Sequence, residues 1–100
     1  MWQVEIHPLV WEEDFAALDR SIQQRITKAI RKKLSINPQA FGKALSGPLK
    51  GYWRLRVDDY RVIYRIEQHR VTVVIVKVGM RRDARVYTEA IPRLRKLGWL

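Results

Sequence analysis

Residues 71–78 read Val-Thr-Val-Val-Ile-Val-Lys-Val, apolar at odd and even positions alike. Successive side chains of a strand point to opposite faces of the sheet. A run that is apolar in both parities therefore describes a central strand covered on both faces. This segment, expected as a strand over Arg70–Val78 and ended by Gly79, makes a sheet the organising feature of the chain.

The neighbouring segments supply partners. Tyr52–Val57 and Tyr60–Glu67 flank Asp58-Asp59 and predict a β-hairpin with a two-residue turn. Residues 2–7 alternate and predict a short first strand. Pro8 suits the first turn of a helix, and Trp11, Phe15 and Leu18 follow at helical spacing, so a first helix is expected over about 9–18. Ser21 and Gln24 match a capping box opening a second helix. Its apolar stripe is Ile22, Ile26, Ala29, Ile30 and Leu34, and Asn37-Pro38 stops it. The two helices are expected to form an antiparallel hairpin. Residues 37–51 contain three glycines and two prolines and predict a loop. Asp83 is placed as the cap of a last helix over about 84–91, which Pro92 should kink or restart. The resulting order is βααβββα. It gives one α+β domain over residues 1–100, with a mainly antiparallel sheet and helices packed on one side.

Composition enters where function begins. The chain has 20 Lys plus Arg against 10 Asp plus Glu, a formal charge of +10. Hydrophobic residues make up 47%, enough to bury a core and to exclude a disordered basic tail. There is no cysteine, which excludes a disulfide framework, a zinc finger and a Cys nucleophile. His7 and His69 lack a second ligand at metal-like spacing, so neither a metal nor a cofactor is expected. No apolar run reaches about 18 residues, so no membrane span is expected. The acidic N-terminus does not resemble a signal peptide, and a cytoplasmic location is expected.

The charge is segregated. Residues 1–19 hold five acids and no Lys or Arg; residues 20–57 hold ten bases and no acid; residues 58–100 hold ten bases and five acids. Segregation of this kind suggests a face built for phosphate. In the hairpin, a two-residue turn sets Val57 opposite Tyr60 and Arg56 opposite Arg61. One face then carries Trp53, Leu55, Val57, Tyr60, Val62 and Tyr64. The other carries Tyr52, Arg54, Arg56, Arg61, Ile63 and Arg65. Like charges facing each other across a sheet are destabilising, so folding does not call for that cluster. Two readings stand side by side: a solvated face relieved by carboxylates from elsewhere, or a concavity whose guanidinium forks match phosphate oxygens. Arg81, Arg82 and Arg85 follow the central strand closely enough to join it. Tyr87 would lie above it, or be an ordinary core tyrosine. Trp2, Trp11 and Trp53 are expected in the core. The outer face of the second helix carries Arg25, Lys28, Arg31, Lys32 and Lys33. That stripe is either a solvated face or a contact for nucleic acid.

Three blocks carry a family resemblance: Leu45-Ser46-Gly47, the run from Tyr52 through Asp59-Tyr60-Arg61-Val62-Ile63-Tyr64, and Gly79-x-Arg81 through Val86-Tyr87. Together they resemble the RelE/ParE superfamily of type II toxin–antitoxin toxins, over essentially the whole chain and in its RelE branch. The resemblance implies a microbial-RNase-like α+β fold and metal-independent endoribonuclease cleavage of mRNA on the ribosome. It implies that Arg61 stabilises the scissile phosphate, that Arg81 belongs to the same site, and that Tyr87 orients or activates the 2′-hydroxyl. Two lysines of the RelE pattern are replaced here by Tyr52 and Arg54.

The implied reaction needs a base, positive charge around the phosphorane and help for the leaving oxygen. Arginine stays protonated, so Tyr87 and Tyr52 are the candidate proton acceptors. Arg54, Arg61, Arg81 and Tyr87 form the expected catalytic set. Arg25, Lys28, Arg31, Lys32, Lys33, Tyr52, Arg56, Arg65, Arg82 and Arg85 form the expected RNA- and ribosome-binding set. A RelB-like or other cognate antitoxin is the implied protein partner. The apolar end, Ile91, Leu94, Leu97, Trp99 and Leu100, either packs on the core or docks that antitoxin. Two other functions are left open: a ParE-like DNA gyrase poison, and a non-catalytic RNA-binding domain.

Overall fold

All of the apolar run except Val71, which is exposed, lies inside the longest strand, β5 (Thr72–Met80), of a computed structural model describing residues 1–100. Residues 72–78 are buried without interruption. The other strands are β1 (Gln3–Ile6), β2 (Lys43–Ala44), β3 (Trp53–Val57) and β4 (Tyr60–Glu67). One sheet holds all five in the order β1-β5-β4-β3-β2. β1 runs parallel to β5, and every other pair is antiparallel. Val57 faces Tyr60 and Arg56 faces Arg61, the register expected of a two-residue turn.

Helices cover both faces of the sheet, not one. On the first face, α1 (Arg20–Ala29) and the π-helical turn Ile30–Leu34 bring Ile26, Ile30 and Leu34, each with no exposed surface. They pack with Val10 and Phe15 against Leu55, Val62, Tyr64, Val73 and Ile75. On the second face, α3 (Arg85–Lys96) brings Val86, Ala90 and Leu94 against Leu49, Tyr52, Ile63, Val74 and Val76. The mixed parity of β5 is thus the signature of two cores. A register shift sharpens it: Ile63 pairs with Lys77 and Tyr64 with Ile75, so Val76 is an extra residue. Such a bulge resets the alternation, which places Val78 on the same face as Ile75.

Several expected boundaries move. The first helical segment is one π-helical turn, Val10–Asp14, followed by a 3₁₀ turn, Phe15–Ala17, and Leu18 is already extended. Trp11 is about half exposed (47%) and packs against the buried Phe15, with ring centres 4.9 Å apart. The Ser21–Gln24 capping box does not form. Asp19 sits at the N-cap without a side-chain bond, and Gln23 instead donates to the carbonyls of Phe15 and Leu18 at 2.6 and 2.9 Å. The expected loop at 37–51 contains a short helix, α2 (Pro38–Phe41), and the edge strand β2. Asn37 both stops the preceding helical run and caps α2, accepting the Ala40 N–H at 3.0 Å. A two-residue strand leaves no periodicity to read. β5 continues through Gly79 to Met80. Asp83 does not cap α3; Ala84 takes the N-cap position with φ 55°, and no side chain caps the helix. α3 runs through Pro92 to Lys96, since Leu94 beyond it is anchored in the second core.

Gly42 shows how tightly the loop is seated. A Cβ there would lie 1.6 Å from the Tyr64 hydroxyl, which itself donates to the Pro38 carbonyl at 2.6 Å.

Candidate active site

Arg61 is the second residue of β4, next to the β3–β4 turn, opposite Arg56 of β3 on one side and Gly79 of β5 on the other. Gly79 has no side chain, so Val86 of α3 can approach: a Cβ there would sit 3.2 Å from Val86 Cγ2. That close approach brings the first turn of α3, and Tyr87 with it, over the end of the sheet. Beyond β5, the Arg81 N–H donates to the Asp59 carbonyl at 2.9 Å. The chain leaving β5 is therefore tied to the β3–β4 turn. Asp83 and Ala84, at φ 58° and 55°, then make two consecutive left-handed steps into α3. Non-glycine residues in this region carry local strain, a pattern that concentrates at functional sites.

These constraints close around an open cleft of about 840 Å³. It is lined by Arg54, Arg56, Arg61, Arg81, Arg82 and Tyr87, with Asp59, Met80, Asp83 and Ala84 completing the wall. Arg61 is buried, at 5% exposure, and donates to the carbonyls of Asp58 and Tyr60 at 3.1 and 2.8 Å. Two carbonyls fix its position without cancelling its charge. Burial, then the charges of Arg56, Arg54 and Arg81, hold its guanidinium below the usual value, while Tyr87 acts the other way. None of the five arginines makes an ion pair, although the chain has eight such contacts elsewhere. The face is not relieved by carboxylates. Its unmet positive charge is the electrostatic condition for holding a phosphodiester.

The structure brings Arg54, Arg56, Arg61, Arg81, Arg82 and Tyr87 together and leaves other expected residues outside. Tyr52 is buried in the second core and donates its hydroxyl to the Trp99 carbonyl at 2.7 Å. Burial raises its pKa, against an opposing effect of Arg65, so it is neither placed nor tuned to accept a proton. Arg65 lies 3.8 Å from the Trp99 ring centre and pairs with Glu67 at 2.6 Å. Arg85 lines a different recess with Glu13, Asp14 and Glu89. On α1 and the turn after it, Lys28, Arg31 and Lys32 are exposed and Lys33 is half-buried. Arg25 is tied to Asp58 at 2.7 Å, so the stripe begins with a paired charge.

Part of the apolar chain end packs on its own core, while Leu100 is about half exposed (48%). Leu94 is fully buried, Ile91 and Trp99 flank it, and Trp99 meets Tyr52, Arg65 and His7. Asp59 and Met80 escaped the sequence reading. Asp59 is visible there only as a turn residue, because its contribution is a carbonyl. No group of three or more His, Cys, Asp or Glu is arranged to hold a metal ion, and no helix is long and apolar enough to cross a membrane.

Residues 4–85 match the family model described as ParE toxin of type II toxin–antitoxin system. A putative RelE-like toxin protein of Escherichia coli is 31% identical over 83% of this chain and 87% of its own length. Toxin YoeB of Mycobacterium bovis is 35% identical over 74% of this chain and 93% of its own. The mRNA interferase toxin RelE of Escherichia coli K12 is 26% identical over 82% and 86%. Among solved structures, a RelBE toxin–antitoxin complex from Mycobacterium tuberculosis aligns with a TM-score of 0.74 at 30% identity, covering 80% of this chain and 98% of that one. A double arginine-to-alanine mutant of Escherichia coli RelE in the free state shares the fold, with a TM-score of 0.70 at 20% identity, covering 93% of this chain and 97% of that one.

Proposed function

The chain belongs to the ParE/RelE family of type II toxin–antitoxin toxins, and from that premise we propose that it is a ribosome-dependent endoribonuclease that cuts mRNA and so stops translation. The single observation that carries the reading is the cleft of five unpaired arginines closed by one tyrosine. In the proposed reaction the ribose 2′-oxygen attacks the adjacent phosphorus. A P–O bond forms to that oxygen, and the bond to the 5′-oxygen breaks. The products are a 2′,3′-cyclic phosphate and a free 5′-hydroxyl.

Arg61, fixed by two carbonyls, and Arg54 hold the phosphate and balance the charge growing on its oxygens. Arg81 neutralises the leaving 5′-oxygen, which ends by taking up a proton. Tyr87 orients the 2′-hydroxyl and relays or accepts its proton. Tyr52 drops out of that role. The ribosome supplies alignment of the reacting atoms, the large entropic part of the barrier. Binding by a RelB-type antitoxin completes the reading; the RelE neighbours captured as complexes with RelB support it.

The test is an in vitro translation reaction with gel-mapped mRNA ends. Cuts should appear with the wild-type protein, and Arg61→Ala should slow them about 10²- to 10³-fold, the usual effect of losing one charge-stabilising donor. Full cleavage by Tyr87→Phe would remove its hydroxyl from the mechanism. The ParE name of the family model keeps gyrase poisoning as a second reading. Gyrase-dependent DNA breaks with intact mRNA would establish that reading instead.

A further inference from the structure

Of the five bases on α1 and the turn after it, Lys28, Arg31, Lys32 and Lys33 make no ion pair. Arg25 does. Residues 20–57 hold no acid, so its partner comes from 33 residues away: Arg25 Nη1 donates to Asp58 Oδ2 at 2.7 Å. Asp58 is the first residue of the β3–β4 turn and holds φ 53°. A non-glycine residue keeps that left-handed conformation where its surroundings fix it. The same turn serves the arginine cleft through its main chain. The Asp58 carbonyl accepts Arg61 Nη1 at 3.1 Å, and the Asp59 carbonyl accepts the Arg81 N–H at 2.9 Å. Asp58 therefore works in two directions. Its carbonyl holds Arg61, and its carboxylate makes the turn's only hydrogen bond to α1.

We propose that Arg25 and Asp58 are positioning residues for cleavage: their pair braces the turn against α1, and the braced turn holds Arg61 at the phosphate. This rests on the nuclease reading above, which takes the arginine cleft as the phosphate site. Arg25 then acts through Asp58 and not on RNA, which separates it from the rest of the basic stripe. The two side chains are 66% and 58% exposed, and a pair so exposed adds little to global stability. Its effect is on placement. A displacement of about 1 Å in the groups that align a reaction can cost a hundredfold in rate. The brace and a direct RNA contact by Arg25 make opposite demands on Asp58. With a contact, removing the carboxylate charge frees Arg25 and tightens RNA binding. With a brace, losing either partner slows the chemical step alike.

The test is single-turnover cleavage of mRNA on programmed ribosomes by Arg25→Ala, Asp58→Asn and the double variant. Each single change should lower the rate at saturating protein about tenfold, with a smaller change in the protein concentration giving half the maximal rate. The double variant should be no slower than either single one, because both remove the same contact. In the free protein, the Arg61 Nε–H NMR signal, identified by its absence from Arg61→Lys, should shift in both single variants. Weaker binding by Arg25→Ala beside full-rate, tighter-binding Asp58→Asn would overturn the brace and make Arg25 an RNA contact. Additive losses in the double variant, or an unmoved Arg61 signal, would overturn it as well. No cleavage by the wild-type protein would overturn the nuclease reading and the catalytic part of this proposal, while a shifted Arg61 signal would still support the brace.

Discussion

Arg61 and Tyr52 show how one residue's surroundings decide its chemistry. Both lie on the same face of one hairpin, yet Arg61 faces an open cleft while Tyr52 lies beneath α3 with its hydroxyl committed to Trp99. Gly42 is constrained by contact alone. Gly42→Ala must displace the Tyr64 ring or α2, since the added Cβ falls 1.6 Å from the hydroxyl. It should cost about 1–3 kcal/mol, the scale of overpacking, measured by urea unfolding. Glu67 sets an acid limit on stability. Burial acts to raise its pKa, but hydrogen bonds from Arg70 and Arg65, with their charges, outweigh it and hold the carboxyl below 4.5. A depressed carboxyl stabilises the fold above its unfolded value, and that contribution is lost as pH falls through the lower folded value. Glu67→Gln should therefore reduce Tm at neutral pH and flatten the fall of Tm below about pH 4.5 in a thermal titration.

At the scale of elements, the end of β5 that faces the cleft pairs with β4 on one side but has no strand on the other, because β1 pairs only as far as Ile75. Asp14 takes the place of a strand. Its carboxylate accepts the Val78 N–H at 2.8 Å, the Lys77 ammonium at 3.1 Å, and both terminal nitrogens of Arg93 at 2.8 and 2.9 Å. One buried side chain thus ties the first helical segment, β5 and α3 together, and α3 carries Tyr87. Asp14→Ala would leave Lys77 and Arg93 facing each other without their shared anion, although Glu89 and Glu13 remain nearby. The expected loss is about 3 kcal/mol or more in denaturant unfolding, as for other broken buried pairs. A loss below about 1 kcal/mol would mean that Glu13 and Glu89 take over the charge. The acids of residues 1–19 are in part structural, since Glu5 likewise pairs with Arg70 at 3.0 Å.

At the scale of the molecule, the charge of +10 resolves into distinct parts. Some of it is neutralised in ion pairs, some lines the cleft, and some lies on the exposed face of the α1 region. Five phosphate contacts in the cleft would make RNA affinity fall about a hundredfold between ~50 and ~200 mM salt. Arg31→Glu combined with Lys32→Glu should weaken ribosome binding and flatten its salt dependence, read by co-sedimentation over a salt series. Equal binding across that series would reduce the stripe to a solvated face. Arg25 is left out of this variant because its pair with Asp58 gives it a structural task.

By itself the sequence determined the central strand, the hairpin and its register, and the facing pair Arg56 and Arg61 with Arg54 beside it. Those properties follow from period-two alternation and a two-residue turn, which are local. The tertiary structure decided what distance in sequence conceals. The covering of both sheet faces depends on where α3 returns, and the edge strand at Lys43–Ala44 exists only because Trp53 and Arg54 lie beside it. The removal of Tyr52 and Arg65 from the cleft depends on Trp99, more than thirty residues further along. A recess behind Tyr87 joins a loop at residues 45–49 to a helix at residues 87–91. No periodicity links those segments, because what brings them together is the burial of Leu49 and Val86 in one shared core.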